Sequence, residues 1–312
     1  MFGWLRRHLR LSTTAPSRPV APTLPADLMR KVRRIEISTN RLVDQGVAGN
    51  YHSAFKGRGV EFAEVRPYIP GDDVRNVDWN VSARMNDLYI KRFVEERDLT
   101  VFVVMDVSGS LGYGSRTILK RELAAEIAAL LSFAAVRNQD RVGCALISDR
   151  LEFFLRPDRR RTHVLRLVRE ILMHPGGGST DLERGLWATL KTLRQRSVLF
   201  VISDFLDSLP TSSLKAAAAR HDVVVIELVD PRDHRLPDAG PVVLQDAETG
   251  RMAVVDGRRL ADEHAARRQR DSETLRTLVR QLGIGHLEIR TDRPYLSTLV
   301  SFFERRRRRL RR

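Results

Sequence analysis

From Thr100 onward, short apolar runs alternate with helical patterns. This alternation restricts the chain to an α/β architecture, with a mainly parallel central sheet flanked by helices. Val101–Asp106, Arg141–Ser148, Val198–Ser203, Val223–Leu228 and His286–Arg290 read as strands, being nearly continuous in Val, Ile, Leu and Phe. Leu119–Arg137, Thr162–Met173, Leu182–Arg194, Ser212–Arg220, Leu260–Gln281 and Tyr295–Arg309 read as the helices between and after them. Leu151–Leu155 is expected to return along Arg141–Ser148 through an Asp149-Arg150 turn. Val242–Gln245 is expected to pair with Met252–Val255 around Asp246–Gly250. There is no internal repeat.

Small oxygen-bearing side chains gather at three strand-to-loop edges: Asp106-Val107-Ser108-Gly109-Ser110, Ser179-Thr180-Asp181 after the glycines 176–178, and Ser203-Asp204. Open α/β sheets bind ligands at such edges. Hydroxyls and carboxylates are the donors Mg²⁺ prefers, and the thiolates and imidazoles that suit Zn²⁺ are absent from the three segments. The expected metal set is Asp106, Ser108, Ser110, Thr180 and Asp204, with Mg²⁺ first and Mn²⁺ or Ca²⁺ as alternatives. Ser108, Ser110 and Thr180 would be direct contacts; Asp106 and Asp204 would hold bound waters or coordinate directly. The competing account of Asp106, Ser108 and Ser110 is a cap and turn leading into the helix at Leu119. Gly176–Gly178 lacks the lysine of a phosphate-binding loop and is expected to be a connector feeding Thr180.

These three segments resemble the metal-ion-dependent adhesion site of von Willebrand factor type A domains. That resemblance implies a Rossmann-like sheet with a metal at its carboxyl edge, completed by an acidic side chain from a partner. Phe205 stands where many such domains have glycine, and Leu111 where methionine is frequent. Upstream, Gly59-Val60-Glu61-Phe62, Arg66-Pro67-Tyr68-Ile69-Pro70-Gly71-Asp72-Asp73-Val74-Arg75, Asp78-Trp79 and Ala83-Arg84 are similar to the hallmark of the domain of unknown function 58 family. Members of that family join this segment to a type A domain and are often associated with MoxR-type AAA+ ATPases. The resemblance spans residues 50–230.

The expected layout is a disordered basic and Pro-rich start over 1–25, a helix over 26–45, an irregular, partly β module over 46–98, the type A-like domain over 99–304 and an Arg-rich tail over 305–312. Residues 1–11 could form a short basic amphipathic helix, although a frayed terminus is the simpler expectation. In the module, Asp72, Asp73, Arg75, Asp78 and Arg84 are expected to form a salt-bridged fold element, with Tyr68 and Trp79 packed on the sheet domain. The single cysteine, Cys144, lies in an apolar strand and is a structural thiol rather than a nucleophile. The histidines show no paired ligand spacing.

Three functions follow. The first is a metal-dependent protein-interaction module, not an enzyme, serving as adaptor for a MoxR-type AAA+ ATPase and a client offering an acidic side chain. The second is Mg²⁺-dependent phosphoryl transfer with Asp106 as nucleophile. It needs a carboxylate where Ser108 stands and a lysine near the third loop, for which Lys191 and Lys215 are poor candidates. The third is binding of nucleic acid or an anionic membrane surface, suggested by a net charge of +15. No groove-reading motif supports nucleic acid. No apolar run is long enough to span a bilayer, so the expected location is cytoplasmic, with peripheral contact to the inner membrane as a further possibility.

Overall fold

A computed structural model describes residues 25–55, 60–95, 99–115, 118–176, 180–234, 240–245 and 250–310. The expected basic start and Pro-rich linker over residues 1–24 lie outside these, as do glycines 177 and 178 and Ser179. Helix α1 (Pro25–Leu42) opens with proline and Asp27 in its first turn, both suited to a helix start. A π-type turn, Val43–Val47, carries Gly46 at φ 110° and leads into α2 (Ala48–Ala54). Only glycine tolerates that backbone without strain.

Next comes an antiparallel ribbon, β1 (Val60–Pro67) with β2 (Tyr89–Glu95), bulged between Phe62 and Glu64. Between its strands lies α3 (Trp79–Met85), capped by the Asp78 carboxylate, which accepts from the Asn80 and Val81 N–H groups at 3.0 and 3.3 Å. Arg66 grips Asp72 with two bonds of 2.7 Å, so the expected salt-bridged element is present in that pair. The expected packing of Trp79 on the sheet domain is not: its side chain is 69% exposed. With Asp78 as cap, the short helix α3 starts at Trp79 and turns that residue outward. Tyr68 is half-buried. By contrast α2, expected within this module, packs in the main core through Ala48, Tyr51 and Ala54.

The main sheet comprises β3 (Thr100–Asp106), β4 (Arg141–Ile147), β5 (Leu151–Asp158), β6 (Val198–Ser203), β7 (Asp222–Val229) and, last in the chain, a strand at Gly285–Arg290. Between them lie α4 (Lys120–Arg137), α5 (Arg161–Met173), α6 (Leu182–Thr192), α7 (Thr211–Arg220) and the single turn α8 (Pro231–His234). A separate hairpin, β8 (Pro241–Gln245) with β9 (Met252–Asp256), follows at the expected place. Then come α9 (Gly257–Gln281), β10 (Gly285–Arg290) and α10 (Leu296–Leu310). The strand order is β10-β7-β6-β3-β4-β5, parallel throughout except for β5. The α/β expectation therefore holds.

Every residue of β3 is buried, and its side chains alternate between two cores. Val101, Val103 and Met105 pack with α1, α2, α4, α5 and α10. Phe102 and Val104 face the other way, toward α6, α7 and α9. From β3 the chain steps to β4 and β5 on one side, then crosses back to β6 and β7 on the other. The gap between the carboxyl ends of β3 and β6 is the switch point where such sheets bind ligands.

Candidate metal centre

Asp106 is the last residue of β3 and is 1% exposed. Its Oδ1 accepts from the Ser108 N–H at 2.8 Å, and its Oδ2 accepts from the Ser203 hydroxyl at 2.6 Å. The second bond crosses the switch point from the end of β6. Burial, and next the negative charge of Asp204, push the Asp106 carboxyl up to about 6. Ser108 is fully buried, and its Oγ lies 3.1 Å from that of Ser110, in the 3₁₀ turn Gly109–Gly112.

Asp204 follows β6 and is 2% exposed. Its neighbour Phe205 is buried and adopts φ 46°. A left-handed backbone is unusual for a bulky residue and persists where the surroundings hold it. Here the ring sits in the second core, and the Phe205 N–H donates to Ser203 Oγ at 3.1 Å. The loop thus takes the turn a glycine would take, with a buried side chain as its anchor.

Thr180 directly precedes Asp181, the N-cap of α6, whose carboxylate accepts from the Arg184 N–H at 3.0 Å. Gly185, one turn on, lies against the end of β4: a Cβ there would come within 2.9 Å of Ile147 and 3.0 Å of the Ser148 carbonyl. The start of α6 is therefore at the carboxyl edge. Of the expected set, Asp106, Ser108, Ser110 and Asp204 come together across the switch point, and Thr180 lies at the helix start on the same edge.

Lys120, the first residue of α4, was not anticipated. Its side chain is fully buried, with Nζ 2.9 Å from Asp204 and 2.7 Å from Asp233, a residue of α8. Burial alone would lower its pKa, but the two carboxylates outweigh that and hold it above the ordinary lysine value. Asp233 is raised, first by burial, with Lys120 opposing and Asp204 adding. Asp230, directly after β7, is a third strand-end acid. Burial opposes its ionisation, but bonds from Ser115, the Arg232 N–H and Thr291 prevail, so its pKa lies below the usual carboxylate value. Arg121, beside Lys120, donates to the His174 carbonyl at 2.7 Å. Its guanidinium lies so close to Gly176, at φ 66°, that a Cβ there would sit 2.1 Å from it.

The donor set suits a hard divalent cation. Asp106 and Asp204 are buried carboxylates; Asp233 is held by Lys120 and the Asp230 N–H and stands outside the set. The hydroxyls of Ser108 and Ser110 hydrogen-bond each other at 3.1 Å, a spacing that adjacent oxygens of an octahedral Mg²⁺ shell, about 3.0 Å apart, would also have. Among the described residues no group of three or more His, Cys, Asp or Glu side chains could hold a metal. The expected set is of another composition, pairing the carboxylates of Asp106 and Asp204 with the hydroxyls of Ser108, Ser110 and Thr180.

Residues 64–274 match the family described as protein of unknown function DUF58. Uncharacterized proteins of Mycobacterium bovis and Mycobacterium tuberculosis are each 36% identical over 288 residues, covering 90% of this chain and 90% of the relative. The solved structure of BatB from Bacteroides thetaiotaomicron is 15% identical, with a TM-score of 0.41, over 67% of this chain and 99% of that one. An aerotolerance-related membrane protein from Bacteroides fragilis is 14% identical, with a TM-score of 0.43, over 68% of this chain and 99% of that one. Among the described residues no helix is long and apolar enough to cross a membrane.

Proposed function

This chain belongs to the family described as protein of unknown function DUF58, and from that membership and its switch-point site we propose a Mg²⁺-dependent docking module of the type A kind, not an enzyme. Asp106, Ser108, Ser110, Thr180 and Asp204 would hold the cation, with Mn²⁺ or Ca²⁺ as substitutes. The cation would supply a positive centre for one carboxylate of a partner protein. The remaining work falls to the chain itself. Ser203 and the Ser108 N–H orient Asp106, while Lys120 occupies one oxygen of Asp204 and fixes that side chain's direction. Phe205 closes the third loop behind it. In keeping with the family resemblance, the partners would be a MoxR-type AAA+ ATPase and a client with an exposed acid, met in the cytoplasm.

The observation that carries this proposal is the buried Asp106–Asp204 pair at the switch point, beside the mutually hydrogen-bonded hydroxyls of Ser108 and Ser110. The test is thermal melting of the full chain in EDTA and in Mg²⁺. Saturating Mg²⁺ should raise the midpoint by about 5 °C, and Ser108→Ala with Ser110→Ala should abolish the rise. An identical midpoint with and without the metal would refute the site.

One observation favours the second function, phosphoryl transfer. The lysine it needs is present after all, since Lys120 touches the third loop from α4. Ser108 still stands where that chemistry needs a carboxylate. Mg²⁺-dependent turnover of a phosphoester, lost in Asp106→Asn, would decide for the enzyme.

A further inference from the structure

The outward face of α1 carries a second feature, independent of the metal centre. Leu28, Val32, Ile35 and Thr39 are buried against the body of the protein. At about 100° of rotation per residue, Arg30, Arg33, Arg34, Ile37 and Arg41 fall on the opposite side, and they line one open groove with Ser38 and Leu42. The acids of α1 are engaged elsewhere or at its end: Glu36 pairs with Arg161 of α5, and Asp27 with Arg30. Glu126 of α4 lies within electrostatic reach of Arg34. Among the described residues, Arg33, Arg34 and Arg41 form no ion pair. Apolar side chains sit amid these guanidiniums, with Met29 61% and Ile37 62% exposed. The adjoining α5 adds Arg161, Arg166 and Arg169, which are substantially exposed but paired with Glu36 and Glu170.

We propose that this face of α1 docks the protein on an anionic phospholipid bilayer. The charge sign selects an anionic surface. The exposed apolar residues select a lipid surface over a nucleic acid, because an interfacial helix places aliphatic groups below the phosphates while its cations stay level with them. The inner face holds α1 flat along the protein, so the whole stripe is presented at once. Guanidiniums also pair with phosphate oxygens through forked bonds.

Flotation of the full chain with phosphatidylcholine vesicles, with and without phosphatidylglycerol, tests the proposal at fixed physiological salt. The protein should float only with the anionic vesicles. Combined Arg33→Glu, Arg34→Glu and Arg41→Glu should weaken partitioning by about 100-fold or more, at about fivefold per basic residue lost. Ile37→Ser, which leaves charge unchanged, should weaken it about tenfold. All four residues are solvent-facing, and unchanged melting of the variants confirms folding. Equal flotation of the triple variant and the parent would overturn the proposal. Binding to duplex DNA in preference to vesicles, indifferent to Ile37→Ser, would overturn it in favour of a nucleic-acid face.

Discussion

Lys120 shows how one residue can organise a site without a motif around it. Placed at the first position of α4, its charge opposes the helix dipole, which favours acids there. Sequence alone does not single it out, because Arg121 and Glu122 follow it in the same turn and Glu122 is the acid nearest in sequence. Asp204 was identified from its strand end. By the same logic Asp230, just beyond the strand read at Val223–Leu228, marks another acid at that edge, though no motif accompanies it. Asp233 could not be read, since its approach to Lys120 depends on the turn of α8. Asp106 is the residue at which site and stability conflict. Burial and Asp204 disfavour its charge, so ionisation costs the fold stability as pH rises from the unfolded value near 4 through about 6. Asp106→Asn, which keeps the shape, should therefore stabilise the metal-free protein at neutral pH by about 1–3 kcal/mol, measured by urea unfolding in EDTA. A loss of stability would show that the carboxylate is better solvated than its burial implies.

Among the elements, the strands were the most legible, because burial on both faces leaves uninterrupted apolar runs that only a central parallel sheet requires. Within β4, Gly143 permits a close approach: an added Cβ would lie 2.7 Å from the Phe102 ring and 3.0 Å from the Leu155 carbonyl. Gly143→Ala should cost about 1–3 kcal/mol in chemical denaturation and leave any Mg²⁺-dependent shift intact, since it lies mid-strand. Helix limits were less legible. Apolar periodicity places the start of α9 at Leu260, whereas the helix begins at Gly257 because the Asp256 carboxylate accepts from the Arg258 N–H at 3.0 Å. The ribbon of β1 and β2 was legible as strands and hydrogen-bonded acids. The outward turn of Trp79 was not, because aromatic residues are ordinarily read as core.

At the scale of the molecule, the arginine run of α10 proves to be structural. Arg305–Arg309 lie in α10, within the helix expected over Tyr295–Arg309. Arg306 lies over the Phe55 ring at 4.5 Å, donates to the Ala54 carbonyl at 3.1 Å and pairs with Asp222 at the start of β7. Sequence alone shows an arginine run; which of its members faces the core depends on how α10 seats against α2. Arg306→Ala should lower stability by about 1–2 kcal/mol, while Arg308→Ala, on the exposed side, should change it by less than about 0.5 kcal/mol. Equal effects in calorimetry would mean the run acts only as charge. The distribution of charge across the molecule has one more consequence. The chain carries a net surplus of +15, while at the candidate metal centre the buried acids outnumber the lysine. An anionic macromolecule would feel attraction long before contact, so its capture should be fast in dilute buffer and slow sharply as ions shorten the reach of that field. A free divalent cation meets the opposite gradient and must enter against it, so loading the centre and recruiting a visitor should respond to ionic strength in opposite directions.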